Sequence, residues 1–170
     1  MNADELKQIQ TPLKARYSGD PGTAIAELHA RGVVDIESLA CRVESPHAQK
    51  EQTVSGLHPK AGGDGSLACS GDMLLQSLIA CSGVTLAAVA TAMGLQINSA
   101  EIIAKGTMDF RGTLGVDRQA PVGLTSVELI FEVVSPESDD KIDKLIQLTE
   151  RYCVVLKTIS EGVAVTSQRV

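Results

Sequence analysis

The chain of 170 residues contains no tryptophan, and only 2% of its residues are aromatic. Proteins that hold single-stranded nucleic acid stack the bases on aromatic side chains, and this chain has few of them. Basic residues are also in the minority, because 15 Lys and Arg face 21 Asp and Glu, for a net charge of −6. A negative surface repels phosphate backbones. We therefore expect no nucleic-acid partner.

Cysteine is sparse, with four residues in the whole chain. The first ten residues, MNADELKQIQ, are polar and acidic, whereas a signal peptide starts with basic residues and continues with an apolar stretch. We therefore expect a cytoplasmic protein. In that compartment the four thiols should be mostly reduced and should not form a disulfide framework.

Familiar motifs for phosphate, metal and hydrolytic sites are also missing. The GGDG sequence at 62–65 is not followed by the Gly-Lys-Ser/Thr of a phosphate-binding loop. The three histidines are scattered, and none has the neighbouring nucleophile and carboxylate of a hydrolytic triad. A zinc site would draw on His58, Cys69 and Cys81, whose spacing matches no short ligand pattern. We expect no metal and no cofactor.

Charge is absent from one long stretch, between Asp72 and Glu101. Residues 72–93, DMLLQSLIACSGVTLAAVATAM, predict a helix with apolar residues on nearly every side, which should be buried all round. The stretch is long enough to span a bilayer, but its polar residues and the helix stop at Gly94 favour a core helix, so we expect no membrane span. One small sheet cannot cover such a helix. A partner chain in a symmetric dimer could supply the second sheet.

The rest of the chain alternates between strand and helix patterns. Residues 1–22 predict a polar N-terminal lead-in that ends in a turn, and residues 23–170 predict a single domain. A helix with a polar, acidic start is predicted at 135–152. Strand patterns occur at 23–30, 33–45, 48–57, 100–110, 124–134 and 162–168. This order of elements indicates an α+β fold.

Two cysteines mark the part of the chain where chemistry is expected. Cys81 lies in the middle of the apolar helix, and Cys153 follows the helix predicted at 135–152. Buried thiols are usually inert packing, so both could be structural. Alternatively, one could be a nucleophilic thiolate and the other the thiol that resolves its sulfenic acid. A buried thiolate would need a cation such as arginine, because burial alone raises the pKa of a thiol.

At these residues the chain resembles the OsmC/Ohr family of hydroperoxide-related proteins, in its OsmC-like branch. The resemblance rests on GGDG (62–65), MLLQSLIACSGVTL (73–86), DFRGTLG (109–115) and LTERYCVVLKT (148–158). It implies that residues 23–170 form an OsmC-like domain. It also implies an intertwined homodimer in which antiparallel sheets wrap two central helices, with each active site at the subunit interface.

The resemblance also implies a reaction and its residues. Cys81 would be the peroxidatic cysteine and Cys153 the resolving one. The implied activity is a thiol-dependent peroxidase that reduces an organic hydroperoxide to an alcohol, after which an external dithiol resets the enzyme. The cysteine-activating arginine of the family comes from the N-terminal strands. Arg42 is the first candidate for it, ahead of Arg31 and Arg16.

Two other functions stay open from the sequence. The same fold could be a non-enzymatic protein that binds a small apolar ligand, in which case the cysteines only pack. It could also be a redox sensor in which Cys69 or Cys81 oxidises without turnover. Cys69 could instead serve as an alternative resolving thiol. A low pKa of Cys81 would favour the peroxidase, whereas an inert thiol would favour ligand binding.

Overall fold

A computed structural model describes residues 2–26, 31–35, 40–44 and 53–169. Its helices and strands confirm the predicted α+β class. The helices are α1 (Ala3–Gly19), α2 (Ser70–Met93), α3 (Phe110–Thr113), α4 (Asp139–Tyr152) and α5 (Val154–Glu161). The strands are β1 (Arg31–Asp35), β2 (Ala40–Glu44), β3 (Thr53–Gly56), β4 (Ala68–Cys69), β5 (Ser99–Met108) and β6 (Leu124–Val134).

The first sheet has four strands in the order β1-β2-β3-β4. The strands β1, β2 and β3 pair in antiparallel fashion, and β4 is parallel to β3. The prediction of one strand over 33–45, preceded by a turn at Gly32, is wrong. Gly32 lies inside β1 opposite Val43, and the segment divides into two paired strands. Antiparallel pairing is favoured here because each strand satisfies the backbone hydrogen bonds of the other.

The second sheet consists of β5 and β6. The pairing is antiparallel, because the Asn98 N–H donates to the Val134 carbonyl (2.8 Å), while the Thr125 hydroxyl donates to the Thr107 carbonyl (3.2 Å). The alternation predicted for 124–134 is confirmed, since its glutamates are exposed and its inward-facing residues are half-buried. The half-buried side chains are Val127, Leu129, Phe131 and Val133.

The two ends of the chain differ from the sequence-based expectations. The lead-in contains α1, which begins with reciprocal hydrogen bonds between Asn2 and Glu5, each 2.9 Å long. The hydrophobic pattern did not indicate α1, since none of its residues is buried and it contains Pro12, a residue unfavourable inside helices. Residues 162–169 form no strand in the described part of the chain, so the closing strand is wrong. An alternating pattern of residues forms a strand only where a neighbouring strand can accept and donate its backbone hydrogen bonds.

The chain forms two compact units. The first comprises Met1–Ala15, Gln76–Ala104 and Leu129–Val170, and the second comprises Arg16–Leu75 and Lys105–Glu128. The prediction of a single domain over 23–170 stays a prediction.

The first unit is built on one face of α2. The buried residues of that helix recur every fourth position and form a single stripe. They are Leu78, Ser82, Leu86 and Ala90. Leu145 of α4 completes the core against Leu86 and Ala90. Among the half-buried residues packed on this core are Ile97, Ile102, Phe131 and Ile142.

The expectation that α2 is buried all round is not met within this chain. Val84 is 73% exposed, although valine at the centre of a core helix is normally buried. The physical reason is that one chain packs only one side of the helix. By length and composition α2 could also cross a membrane, but the core helix of a soluble protein passes the same test. The intertwined homodimer stays a prediction.

In the second unit, glycines of the GGDG and DFRGTLG motifs allow close backbone approaches. A side chain at Gly63 would collide with the Leu57 carbonyl, and one at Gly112 would collide with the Pro121 carbonyl. Asp109 begins α3 by accepting a hydrogen bond from the Arg111 backbone N–H (3.0 Å). These glycines therefore have a structural role in the second unit.

Candidate active site

The structure brings Cys81 and Cys153 together in the first unit. Cys81 lies in the middle of α2 and is half-buried. Cys153 is completely buried and is the single residue between α4 and α5. Its backbone leaves the helical conformation, with φ −71° and ψ 107°. Both thiols are free, so the site is described in its reduced state.

The pKa of Cys81 reflects opposing influences. Burial raises the pKa of this thiol. Hydrogen bonding from the Val155 backbone N–H, the Cys153 thiol and the Val154 backbone N–H lowers it. Thr85, whose hydroxyl donates to the Cys81 carbonyl at 2.8 Å, makes the smallest contribution. The net effect is a pKa below the ordinary value for a thiol, so the thiolate forms more readily than in an unperturbed cysteine.

The N-terminus of α5 supplies the positive charge that was expected from an arginine. The first N–H groups of a helix have no partner within the helix and carry partial positive charge. A thiolate is stabilised at such a position. In the described residues the pKa of Cys81 is lowered without any charged side chain. The short helix VVLKTISE directly after Cys153 was the sequence signal for this arrangement.

Arg42 lies on β2, opposite Val33 on β1 and Val54 on β3. It belongs to the second unit, and its side chain lies outside the described part of the structure. Its role as the activating cation therefore stays a prediction.

Sequence reasoning missed Ser82. Its Oγ lies 3.3 Å from the Sγ of Cys153, and both residues are completely buried. Because successive residues of a helix are rotated by about 100° around its axis, Cys81 and Ser82 face different directions. The Cys153 thiol interacts with both. A small polar residue directly after the helix cysteine was the only signal in the sequence.

The other candidate residues lie in the second unit. Cys69 is half-buried at the end of β4, directly before α2. The Nδ1 of His58 accepts a hydrogen bond from the Lys60 backbone N–H (3.0 Å), and its ring stacks on Phe110 with 4.7 Å between ring centres. In the described residues no three metal-ligating side chains form a cluster that could hold an ion. The role of Cys69 as an alternative resolving thiol stays a prediction.

An open groove of about 560 Å³ runs beside α2 in the first unit. Small and branched aliphatic residues dominate its lining. They include Ile79, Gly83, Ala87, Leu95, Ile97 and Ile102. Such a groove suits an apolar occupant, because burying its aliphatic surface is favourable.

We expect the lowered pKa of Cys81 to make stability depend on pH. At a pH between the lowered pKa and the ordinary thiol pKa of 9.0, the folded chain loses the Cys81 proton while the unfolded chain keeps it. The free energy of unfolding should therefore rise with pH between the lowered value and 9.0. Urea unfolding of the reduced protein across this range would measure the rise. Equal pH slopes for the wild type and Cys81→Ser would contradict the expectation.

Comparisons with known proteins place this geometry in context. The family model described as OsmC-like protein matches residues 63–168, which is more than half of the chain. No curated protein sequence matches the chain. An OsmC-like protein from Mycoplasma pneumoniae has a similar structure, with 24% identity and a TM-score of 0.65. The match covers 81% of this chain and 89% of that one.

Two further solved structures carry names that refer to hydroperoxides. An organic hydroperoxide resistance protein from Elizabethkingia anophelis is 14% identical, with a TM-score of 0.63 over 81% of this chain and 91% of that one. The organic hydroperoxide resistance protein OhrB of Bacillus subtilis is 17% identical, with a TM-score of 0.54 over 79% and 93%. At these identities the likeness shows a shared fold.

Proposed function

Because this chain belongs to the OsmC-like protein family, we propose that it is a thiol-dependent peroxidase that reduces organic hydroperoxides. The observation that carries the proposal is the interaction between two free thiols, since hydrogen bonding with the Cys153 thiol is among the causes that lower the pKa of Cys81. A peroxide reacts with a thiolate rather than with a thiol. The names of structural relatives from E. anophelis and B. subtilis refer to the same substrate class.

In the first step the Cys81 thiolate attacks the distal oxygen of the hydroperoxide. A sulfur–oxygen bond forms, the oxygen–oxygen bond breaks, and the alkoxide takes up a proton to leave as the alcohol. Cys81 is thereby oxidised to a sulfenic acid. The N–H groups at the start of α5 favour negative charge at this position, so they support the thiolate before attack.

In the second step the Cys153 sulfur attacks the sulfenic sulfur of Cys81. A disulfide forms, and the sulfenic oxygen leaves with the Cys153 proton as water. An external dithiol then reduces the disulfide by two exchange reactions and becomes a disulfide itself. The sum is one hydroperoxide and one dithiol converted to one alcohol, one water and one oxidised dithiol.

The role of Arg42 as a cation that stabilises the thiolate and the departing alkoxide stays a prediction. The proposal does not depend on it, because the described contacts already lower the pKa of Cys81. The enzyme would work in the cytoplasm, where thiols are kept reduced.

A second copy of the chain is the proposed partner. The exposed side of α2 in the first unit, which includes Val84 (73% exposed), supports this part of the proposal. A large apolar side chain left exposed at the centre of an apolar helix is typical of an interaction surface.

One equivalent of cumene hydroperoxide tests the proposal directly. The reduced protein should lose two hydrogens rapidly, and peptide mapping should assign the loss to a bond between Cys81 and Cys153. Equal treatment of protein alkylated at its thiols is the control. An unchanged mass, or slow oxidation spread over several residues, would contradict the proposal.

The apolar groove beside α2 supports a second candidate function, the binding of a small apolar ligand. In that case both thiols should stay reduced in the hydroperoxide experiment. If the protein is a redox sensor, the same experiment should give a third result. A thiol would be oxidised once, and adding a dithiol would not produce repeated turnover. The same assay therefore separates all three functions.

A further inference from the structure

The hydroxyl of Ser82 has a different partner from three other hydroxyls on α2 and α4. The hydroxyls of Thr85, Thr91 and Thr149 each donate to the carbonyl four residues earlier, at 2.8 Å. This is the common arrangement for such residues inside helices. Ser82 instead directs its Oγ to the Cys153 Sγ, at 3.3 Å and in full burial. Its proton is therefore available to sulfur.

The direction of the hydrogen bonds follows from counting protons. The Cys81 thiolate can only accept, and hydrogen bonding with the Cys153 thiol lowers the pKa of Cys81. The thiol of Cys153 has one proton, which is used in that interaction. The 3.3 Å contact between Ser82 and Cys153 allows either atom to donate, and with the Cys153 proton directed to Cys81 the Ser82 hydroxyl is the donor. The result is a chain of hydrogen bonds from Ser82 to Cys153 to Cys81.

We propose that Ser82 is a positioning residue that holds the Cys153 sulfur beside Cys81 and directs the Cys153 proton toward it. The last part of this role rests on the proposed peroxidase function. When Cys153 attacks the sulfenic acid, its proton leaves with the sulfenic oxygen as water, and the Ser82 hydroxyl stabilises the sulfur as it loses that proton. Ser82 keeps its own proton throughout the step.

Ser82→Ala tests the assignment in the full-length reduced protein. The probe is iodoacetamide, and the readout is the pH profile of Cys81 alkylation, followed by peptide mapping. The midpoint should move to higher pH. The shift should correspond to a decrease of about two- to tenfold in the acid dissociation constant of the Cys81 thiol. Closure of the disulfide after hydroperoxide should slow by a similar factor. Alanine is the best helix former, so α2 should stay intact.

Two control variants make the test specific. Thr149→Val removes another completely buried hydroxyl of the first unit, one that donates to the Leu145 carbonyl, and should leave the midpoint unchanged. On a Cys153→Ala background, Ser82→Ala should have no further effect, because Ser82 acts through Cys153. The described influences on the pKa of Cys81 include no charged side chain that could produce the same shift.

Three results would overturn the assignment. They are a Ser82→Ala profile that superimposes on the wild type, an equal shift in Thr149→Val, and a shift that persists without Cys153. The assignment and the proposed function can fail separately. If the midpoint shifts but the protein does not consume cumene hydroperoxide, the positioning role of Ser82 stands and the peroxidase function is rejected. If the wild type turns over fully but Ser82→Ala leaves the midpoint unshifted, the peroxidase function stands and the role of Ser82 is rejected.

Discussion

Replacing Cys81 with serine is expected to abolish the reduction of organic hydroperoxides. A serine hydroxyl does not ionise near neutral pH, and its oxygen cannot be oxidised as sulfur can. Removing the nucleophile of a covalent mechanism lowers the rate by on the order of 10³-fold or more. The fold should tolerate the change, because Cys81 is only half-buried and serine differs from cysteine by one atom.

The measurement is the steady-state consumption of cumene hydroperoxide with dithiothreitol as the external dithiol. Cys69→Ser provides a matched control, because it changes another half-buried thiol of the same chain that lies in the second unit. We expect Cys69→Ser to retain turnover. Full activity in Cys81→Ser would refute the mechanism, because no other residue is assigned the first oxidation.

Cys153→Ser is expected to reduce the enzyme to a single turnover. The Cys81 thiolate should still react with the first equivalent of hydroperoxide, since the N–H groups of Val154 and Val155 continue to stabilise it. Without a resolving sulfur the sulfenic acid persists, and excess hydroperoxide should oxidise it to the sulfinic acid. That product is not restored by ordinary dithiols.

Mass spectrometry over a titration with hydroperoxide distinguishes this outcome from simple inactivation. One added oxygen at Cys81 should appear first and two added oxygens later, while the wild type under the same conditions should form the disulfide. Repeated turnover of Cys153→Ser with no build-up of oxygen at Cys81 would show that another thiol resolves the sulfenic acid. Cys69 would then be the residue to test.

Local sequence patterns were sufficient to predict the strands and helices that are strongly amphipathic. The strand at 124–134 and the helix at 135–152 are amphipathic, and both are present as β6 and α4. The division into β1 and β2 was missed because strand propensity is continuous through 33–45. The start of α2 was predicted at Asp72, whereas the helix begins at Ser70, a difference within the usual variation of helix ends.

The site was less accessible from sequence because it depends on contacts between distant segments. Cys81 and Cys153 were identified through the resemblance, since no spacing rule connects residues so far apart. The roles of Ser82 and of the first N–H groups of α5 required the packing of α2 against the junction of α4 and α5. Composition favoured two inert packing thiols. The pKa of Cys81, which lies below the ordinary value, favours a reactive thiol instead.

The placement of Cys153 at the single-residue break between α4 and α5 has a consequence for the energetics of the whole chain. In the proposed cycle its bond to Cys81 would tie the centre of α2 to that break and close a long loop. A cross-link of this kind restricts the unfolded chain and is worth about 4 kcal/mol in the chain-entropy model. Each catalytic cycle would then alternate between a disulfide form that unfolds less readily and a dithiol form that unfolds more readily. The supply of reductant would therefore also affect the thermal stability of the protein.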